Sequence, residues 1–530
     1  MEIRRKIFMV EVLNKTLEGF ENATNTDFSN PNEVEKLKEA IQKVRGELGK
    51  TYPIIIKGEK IETKDKIVSI NPGKKSEVIG YVSKVDQELA EKGLLQAVET
   101  FETWKRVKPE ERASYLFKAA DVMRERRHEL SAIMILEAGK NYEEADAEVS
   151  EAIDFLEFYG RSMIDLEADT HRLKRVPDES NTMKYIPLGV GFIVPPWNFP
   201  LAICTGLTVS AVVTGNTAVL KPSSSTPVTA YKFVEIMEEV GLPKGVINFI
   251  PGDSKVMGDF ITGHPKTRFV SFTGSKEVGL RINEIVGRTA PGQKWMKRLN
   301  AEMGGKDGIV VDETADLEEA AKSIVSSAFS FQGQKCSAGS RAIIVESVYD
   351  ELVDRVVELT NEIEMGQGEE NYYSGPVIDE AAFKRITKYI EIGKEEGTLL
   401  TGGTADDSEG YFIRPTIFKD VDPKARIMQE EIFGPVLAIA KAKDYREAID
   451  IYNDTEYGLT GSFFSGEDER IDYATREMHC GNLYVNRNCT GALVGVHPFG
   501  GFNMSGTDSK AGGYDYLKIF SQAKLYTVKK

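Results

Sequence analysis

The sequence predicts an α/β protein with parallel sheets in at least two domains. Three observations carry this. From about residue 183, short apolar runs alternate with longer helical periods, the pattern of βαβ units. A second alternation of the same kind begins near Asp307. The 530 residues also exceed the size at which a single hydrophobic core stops growing.

The elements follow in order. Asn30 before Pro31, with Glu33 in the first turn, marks a helix start, and Val34, Leu37, Ile41, Val44 and Leu48 recur at helical spacing. Residues 53–80 read as short strands and turns, and 84–104, 108–139 and 141–167 as long amphipathic helices. Residues 170–176 and 181–186 flank Pro177-Asp178-Glu179, which predicts a β-hairpin. Strands are then expected over 184–195, 217–221, 246–250 and 269–272, and helices over 201–214, 226–241, 254–262 and 276–288. In a sheet of this type ligands bind at the carboxyl ends of the strands. The second stretch reads strand Gly308–Val311, helix Leu317–Phe329, strand Arg341–Val345, and the tail 524–530 is strand-like.

Composition narrows the function. Hydrophobic residues at 41% and charged residues at 28% are the balance of an ordinary globular chain. A formal charge of -16 argues against a nucleic-acid or anionic-membrane surface and leaves small molecules as the expected partners. The four cysteines, Cys204, Cys336, Cys480 and Cys489, form no C-x-x-C pair, and the five histidines have no metal-ligand spacing, so no metal is expected. Reduced thiols suit a cytoplasmic location. The first residues lack the apolar core of a signal peptide, and no apolar run is long enough to cross a bilayer.

Three segments carry the chemistry. Phe272-Thr273-Gly274-Ser275-Lys276-Glu277-Val278-Gly279 lies where a strand hands over to a helix. Glu302-Met303-Gly304-Gly305-Lys306 follows, and then Phe331-Gln332-Gly333-Gln334-Lys335-Cys336. With Pro196-Trp197-Asn198-Phe199-Pro200, Lys221-Pro222-Ser223, Glu431-Ile432-Phe433-Gly434-Pro435 and Pro498-Phe499-Gly500-Gly501, in the family's order, the chain resembles the aldehyde dehydrogenase superfamily from about residue 50 to 520. The resemblance implies a Rossmann-type cofactor domain (1–168 and 187–302), an α/β catalytic domain (303–486) and a small β oligomerisation flap with the tail (169–186 and 487–530). It also implies a homo-oligomer, a dimer or an assembly of dimers.

By the same resemblance Cys336 is the nucleophile that attacks an aldehyde carbon. Asn198 and the N–H of Cys336 receive the oxyanion, and Glu302 is the base that hydrolyses the resulting thioester. Taken alone, each has a plainer reading: a small buried hydrophobe, a helix-capping Asn and a solvated Glu. The chemistry needs a thiolate, and a free thiol with a pKa of ~8.5 is only slightly ionised at neutral pH, so the site must supply a base or a positive field.

For the cofactor, the Gly274-to-Gly279 spacing lacks the G-x-G-x-x-G fingerprint, and Leu280-Arg281 after Gly279 excludes a phosphate-binding Gly-Lys-Ser/Thr. Its place at a strand-to-helix turn suits a phosphate, which backbone N–H groups and the helix dipole attract. The resemblance implies that Ser275 contacts the pyrophosphate, Lys221 the adenine ribose and Glu431 the nicotinamide ribose, with Phe433 packed nearby. Ser224 stands where NAD-preferring members often carry Glu, so NAD is expected and NADP is possible.

Within the superfamily the chain most resembles the branch that oxidises L-glutamate γ-semialdehyde in proline catabolism. Gly333-Gln334-Lys335-Cys336-Ser337-Ala338, Thr490-Gly491-Ala492, Glu151-Ala152-Ile153-Asp154-Phe155 and the extended N-terminal region carry this. It implies that Ser337, Gly491 and Ala492 hold the substrate carboxylate, that Phe199 and Phe499 sandwich its methylenes, and that Glu151 lies near its ammonium. Gly491 also reads as a turn, the two Phe as core and Glu151 as an exposed helix residue. Two alternatives share the fold: a broad-specificity aldehyde dehydrogenase and a non-catalytic binding protein.

Overall fold

A computed structural model describes residues 19–168, 173–174 and 176–529. Its first sheet has seven strands in the order Arg298–Glu302, Thr267–Thr273, Val190–Val194, Thr217–Leu220, Ile247–Phe249, Ile54–Ile56, Glu59–Ile61. The first five are parallel, and the last two run antiparallel to their neighbours. The strands Val190–Val194, Thr217–Leu220 and Ile54–Ile56 are apolar almost throughout because helices cover both faces. Ile193 and Leu220 point to one core with helices Ala202–Val213 and Pro227–Glu239, whereas Phe192 and Val219 point to another with Gln87–Trp104. Each such side chain contributes about 1.5–3 kcal/mol relative to exposure.

From Val190–Val194 the chain runs outward through two strands on one side, then returns to add two on the other. The order therefore reverses between Val190–Val194 and Thr267–Thr273, and a crevice opens beyond the carboxyl ends of those strands.

The second sheet has the order Thr398–Thr401, Thr416–Lys419, Val436–Ala442, Arg341–Val345, Gly308–Val311, Thr460–Phe464, Asn482–Val485, all parallel except the first. Its amino ends face the same crevice. A three-stranded sheet (Lys50–Tyr52, Lys74–Ser83, Lys66–Asn71) stands apart from both.

The helix start at Asn30 is as expected: its side chain accepts from the N–H of Asn32, and the helix spans Pro31–Arg45. The helix expected over 108–139 is two, Pro109–Glu125 and Arg127–Ala138, because Arg126 leaves helical geometry (φ −99°, ψ 17°) and reorients the second helix, which ends at left-handed Gly139. The strand expected over 184–195 breaks at Leu188 and Gly189, where the backbone turns (Gly189 φ 147°).

The first arm of the hairpin expected over 170–186 lies largely outside the described residues. Residues 169–172 and 175 of its first arm lie outside the described residues, and 173, 174 and 176 carry no strand. The second arm, Glu179–Pro187, pairs antiparallel with the tail strand Ser521–Lys529. That ladder runs the full 9 residues of each strand, more pairing than a short local hairpin offers. Within 487–530, Tyr516, Leu517 and Phe520 are buried in the hydrophobic cluster against the first sheet.

Candidate functional site

The loop that presents Cys336 is held in an unfavourable backbone conformation. Phe331 (φ 48°), Gln332 (φ 55°) and Gly333 (φ 64°) are consecutive left-handed residues. For a non-glycine residue this costs about 1–3 kcal/mol and persists only where the surroundings over-determine it. They do so here. The ammonium of Lys140 sits 3.9 Å from the Phe331 ring centre. With its amide nitrogen turned to Pro376 O (3.1 Å), Gln332 accepts from the N–H of Gly375 at 2.6 Å. Gln334 Oε1 accepts from the N–H of Ile378 at 2.9 Å. Burial pushes the Cys336 thiol above its ordinary range, and the carboxyl groups of Asp307, Glu431 and Glu302 push it the same way. The resting residue is a neutral thiol.

Asn198 lies beyond the carboxyl end of Val190–Val194, buried, and its Nδ2 donates to Gln334 O at 2.9 Å. One amide hydrogen is thus spent on the Cys336 loop, and the other remains for a ligand. The following turn is fixed by Glu148, whose Oε1 accepts from the N–H groups of Leu201 (2.8 Å) and Ala202 (3.1 Å). Lys140 Nζ lies 3.1 Å from Glu148 Oε2, with both side chains fully buried, and 4.3 Å from the Phe199 ring centre. One ammonium thus ties the Asn198 turn to the Cys336 loop.

Glu302 ends the edge strand Arg298–Glu302. Its Oε2 accepts from the N–H of Gly501 at 3.2 Å, while its Oε1 is buried without a partner. Burial raises its pKa to about 8 against the lowering effect of the N–H groups of Gly501 and Ser509. Glu431 Oε1 accepts from the N–H of Gly305 at 3.2 Å, and burial raises that carboxyl to about 7. Gly304 is required beside it, since a Cβ there would meet Glu431 Oε1 at 2.0 Å. Phe433 packs edge-on against Trp197 at 5.5 Å. Gly305, Cys336, Glu431 and Phe433 line one small cavity.

At the other strand ends, Lys221 is buried, its Nζ 3.3 Å from Pro222 O, and burial lowers its pKa to about 8. Ser224 is exposed. Ser275 caps the helix Lys276–Gly287 by accepting from the N–H of Val278, and Gly274 donates its N–H to Glu302 O at 3.0 Å. Gly279 lets this helix approach the sheet, because a Cβ would meet Met303 Sδ at 2.3 Å.

Of the residues assigned to the substrate, Ser337 is buried next to Cys336, and its carbonyl accepts from Cys489 Sγ at 3.4 Å. Glu151 lies one turn beyond Glu148 on the helix Tyr142–Ala168, and burial raises its carboxyl to about 8, with Glu148 adding to the rise. Phe499 is paired through its backbone with Ala511. Gly491 is exposed and left-handed (φ 75°), Ala492 is half-buried, and the turn is held by Arg487, which donates to Thr490 O at 2.7 Å.

Cys336, Asn198, Glu302, Glu431, Phe433 and Ser337 therefore converge. Phe199 joins them through Lys140. Among the described residues, the hydrogen bonds and ion pairs of that cluster do not extend to Ser224, Ser275 or Ala492. Sequence reasoning missed Lys140, Glu148, Asp307 and Arg487. Asp307 is fully buried, accepts from the N–H of Thr460 at 2.6 Å and is held strongly toward its neutral form by burial. In the sequence all four look like surface charges, and only their position against apolar neighbours could have flagged them.

The crevice fits a dinucleotide: an open helix amino end at Ser275, a buried ammonium at Lys221 with one backbone partner, and a buried carboxyl at Glu431.

Comparison with known proteins adds to this geometry. Residues 60–526 match the model of the aldehyde dehydrogenase family. A 1-pyrroline-5-carboxylate dehydrogenase of Geobacillus sp. (strain WCH70) is 59% identical over 500 residues, 94% of this chain and 97% of that protein. One of Bacillus subtilis (strain 168) is 57% identical over the same shares of each chain. Among solved structures, a 1-pyrroline-5-carboxylate dehydrogenase from Thermus with bound NAD superposes with a TM-score of 0.95 at 47% identity, over 96% of this chain and 99% of that one.

Proposed function

The chain belongs to the aldehyde dehydrogenase family, and on that premise we propose that it oxidises L-glutamate γ-semialdehyde, the open form of 1-pyrroline-5-carboxylate, to L-glutamate with NAD, the second step of proline catabolism. What supports the reading most directly is the convergence of a half-buried thiol, a side-chain amide with a free hydrogen and a buried carboxyl with an unpartnered oxygen.

In this reading Cys336 Sγ releases its proton to solvent water and forms a bond to the aldehyde carbon, whose π electron pair moves to oxygen. Asn198 Nδ2 and the N–H of Cys336 receive that oxyanion, a contribution of about 3–4 kcal/mol per donor. NAD, when bound, supplies the hydride acceptor that turns the thiohemiacetal on Cys336 into a thioester. Lys221, Ser275 and the neighbouring Gly274 and Gly279 hold its phosphate and adenosine end, and Glu431 with Phe433 its nicotinamide end. Glu302 then takes a proton from water, which adds to the thioester carbon and expels the Cys336 thiolate. Ser337, Gly491 and Ala492 hold the substrate carboxylate, Phe199 and Phe499 its methylenes, and Glu151 its ammonium.

The test compares kcat/KM for the semialdehyde and for butanal in the parent and in Ala492→Leu. The parent favours the semialdehyde. The bulkier side chain of the variant holds the carboxylate away and lowers kcat/KM for the semialdehyde by about one to three orders of magnitude, the equivalent of one or two charge-assisted hydrogen bonds at ~1.5–3 kcal/mol each. Butanal, which has no carboxylate, changes much less. Equal handling of both substrates by the parent would replace the assignment with a broad-specificity aldehyde dehydrogenase.

The protein is further read as a homo-oligomer of the cytoplasm. Leu525 and Val528 are more than half exposed on the two-stranded ladder with Glu179–Pro187, a surface suited to a second copy, and all four cysteines are unpaired. Light scattering on a chain ending at Gln522 is expected to give a smaller assembly than the full chain.

A further inference from the structure

The segment 19–28, which has no helix or strand, lies against the helix Tyr142–Ala168 and is fastened to it at two places. At one, Thr26 gives its N–H (2.7 Å) and hydroxyl (2.6 Å) to Asp146, with Arg127 donating to Thr24 O and to Asp146. At the other, Asp154 accepts from the N–H of Ala23 (2.7 Å) and from Asn22 Nδ2 (2.8 Å). Asn22 Nδ2 also donates to Val494 O at 3.0 Å. One amide thus joins three parts of the chain: the N-terminal segment, the helix that bears Glu151 a turn before Asp154, and the turn that begins at Gly491.

The turn also has ties of its own: Leu493 O accepts from the N–H groups of Val496 (3.1 Å) and His497 (2.8 Å), His497 Nδ1 accepts from the N–H of Leu493 at 3.2 Å, and Val494 is buried. Gly491 is left-handed and exposed, and Leu493 and Val496 are about half exposed. Its near side is held by Arg487 on Thr490 O. Its far side is closed by Gly495, which donates to Gly512 O at 2.9 Å and lies against two rings, since a Cβ at 495 would meet Phe20 at 2.9 Å and Phe158 at 3.1 Å. Phe20 itself packs edge-on against Phe158 at 5.1 Å. Segment 19–28 therefore supplies both an apolar wall and a polar tie to residues 494–495, next to Ala492.

We infer that Asn22, backed by Asp154, is a positioning residue that sets substrate specificity by fixing the 491–495 turn against the helix Tyr142–Ala168. The inference rests on the proposed role of Gly491 and Ala492 in holding the substrate carboxylate. Backbone N–H groups recognise a carboxylate only while the turn is held in one conformation, and a loosened turn binds it more weakly without altering the reacting atoms. The aldehyde end of the substrate, at Cys336, is served by other residues.

The experiment uses the full-length protein with Asn22→Asp, which keeps the shape and removes both donors, and Asn22→Ala. For the semialdehyde, KM is expected to rise about tenfold with kcat within about twofold of the parent. Kinetics with butanal should stay unchanged. Hydrogen exchange at residues 491–497 should speed up while that of the helix Tyr142–Ala168 does not. An unchanged KM for the semialdehyde in both variants, or a parallel loss with butanal, overturns the inference. The parent and Ala492→Leu are run beside them. If the parent does not favour the semialdehyde, the substrate reading itself has failed and the role of Asn22 falls with it. If both of those controls behave as expected and the Asn22 variants do not, only the tie has failed.

Discussion

The two sides of the crevice are built on different principles. On the first sheet the groups assigned to the cofactor stand at the ends of parallel strands in relaxed geometry. Ser275 is an ordinary helix cap, Ser224 is exposed, and Gly279 serves helix packing. On the second sheet the groups sit at the amino ends of the strands, among buried charges and strained backbone: Cys336 after two left-handed non-glycine residues, and Asp307 and Glu431 as buried carboxyls held toward their neutral forms. The phosphate of a dinucleotide suits regular structure, whose dipoles and N–H groups come without extra cost. Placing a nucleophile takes interactions that override local preference.

The comparison predicts that damage is graded from the second sheet to the first. Cys336→Ala should lower NADH formation by about four orders of magnitude or more, since no other group present forms the thioester. NAD binding, read by calorimetry, should be nearly unchanged. Loss of NAD binding in this variant would show that the two sides are not separable.

Glu302→Gln should lower the steady-state rate by about two to three orders of magnitude while a first burst of NADH survives in rapid mixing, because only hydrolysis needs the base. Equal loss of burst and steady state would place Glu302 in activation of the thiol.

The pH dependence follows from the raised carboxyl of Glu302. Burial favours its neutral form, so at pH 7 roughly one-tenth is ionised if it titrates at about 8. The ionised form is the active base. Turnover limited by hydrolysis should therefore rise close to tenfold per pH unit below pH 7 and level off above pH 9. A flat profile between pH 6 and 8 would mean that another step limits the rate.

Ser224→Glu should have the smallest effect, a shift of the kcat/KM ratio toward NAD over NADP by about tenfold, through repulsion of the 2′-phosphate on the relaxed, exposed side. An unchanged ratio would show that Ser224 does not face the ribose.

What the sequence made legible divides along the same line. Alternating strands and helices announce themselves by period, and the apolar spacing delimits the helix Leu317–Phe329 as it stands. Motif resemblance located Cys336, Glu302 and Asn198. Periodicity could not separate Pro109–Glu125 from Arg127–Ala138, because one residue with altered φ and ψ leaves the apolar spacing intact. Nor could it pair Glu179–Pro187 with residues more than three hundred positions away, since strand partners are chosen by long-range fit. Lys140 and Glu148 were invisible for a related reason. A charge is functional here only because it is buried, and burial is a property of the assembled fold.

The left-handed run before Cys336 bears on how such a protein can change. Gln332→Gly would relieve backbone strain of the order of 1 kcal/mol, against the entropy that an added glycine loses on folding. It would also delete the side chain that anchors the loop to Gly375 and Pro376. Strain relief and glycine entropy nearly cancel, so the two lost hydrogen bonds, about 0.5–1.5 kcal/mol each, decide the sign. Ruggedness and turnover therefore select the same residue here, and libraries screened for either should keep glutamine at 332.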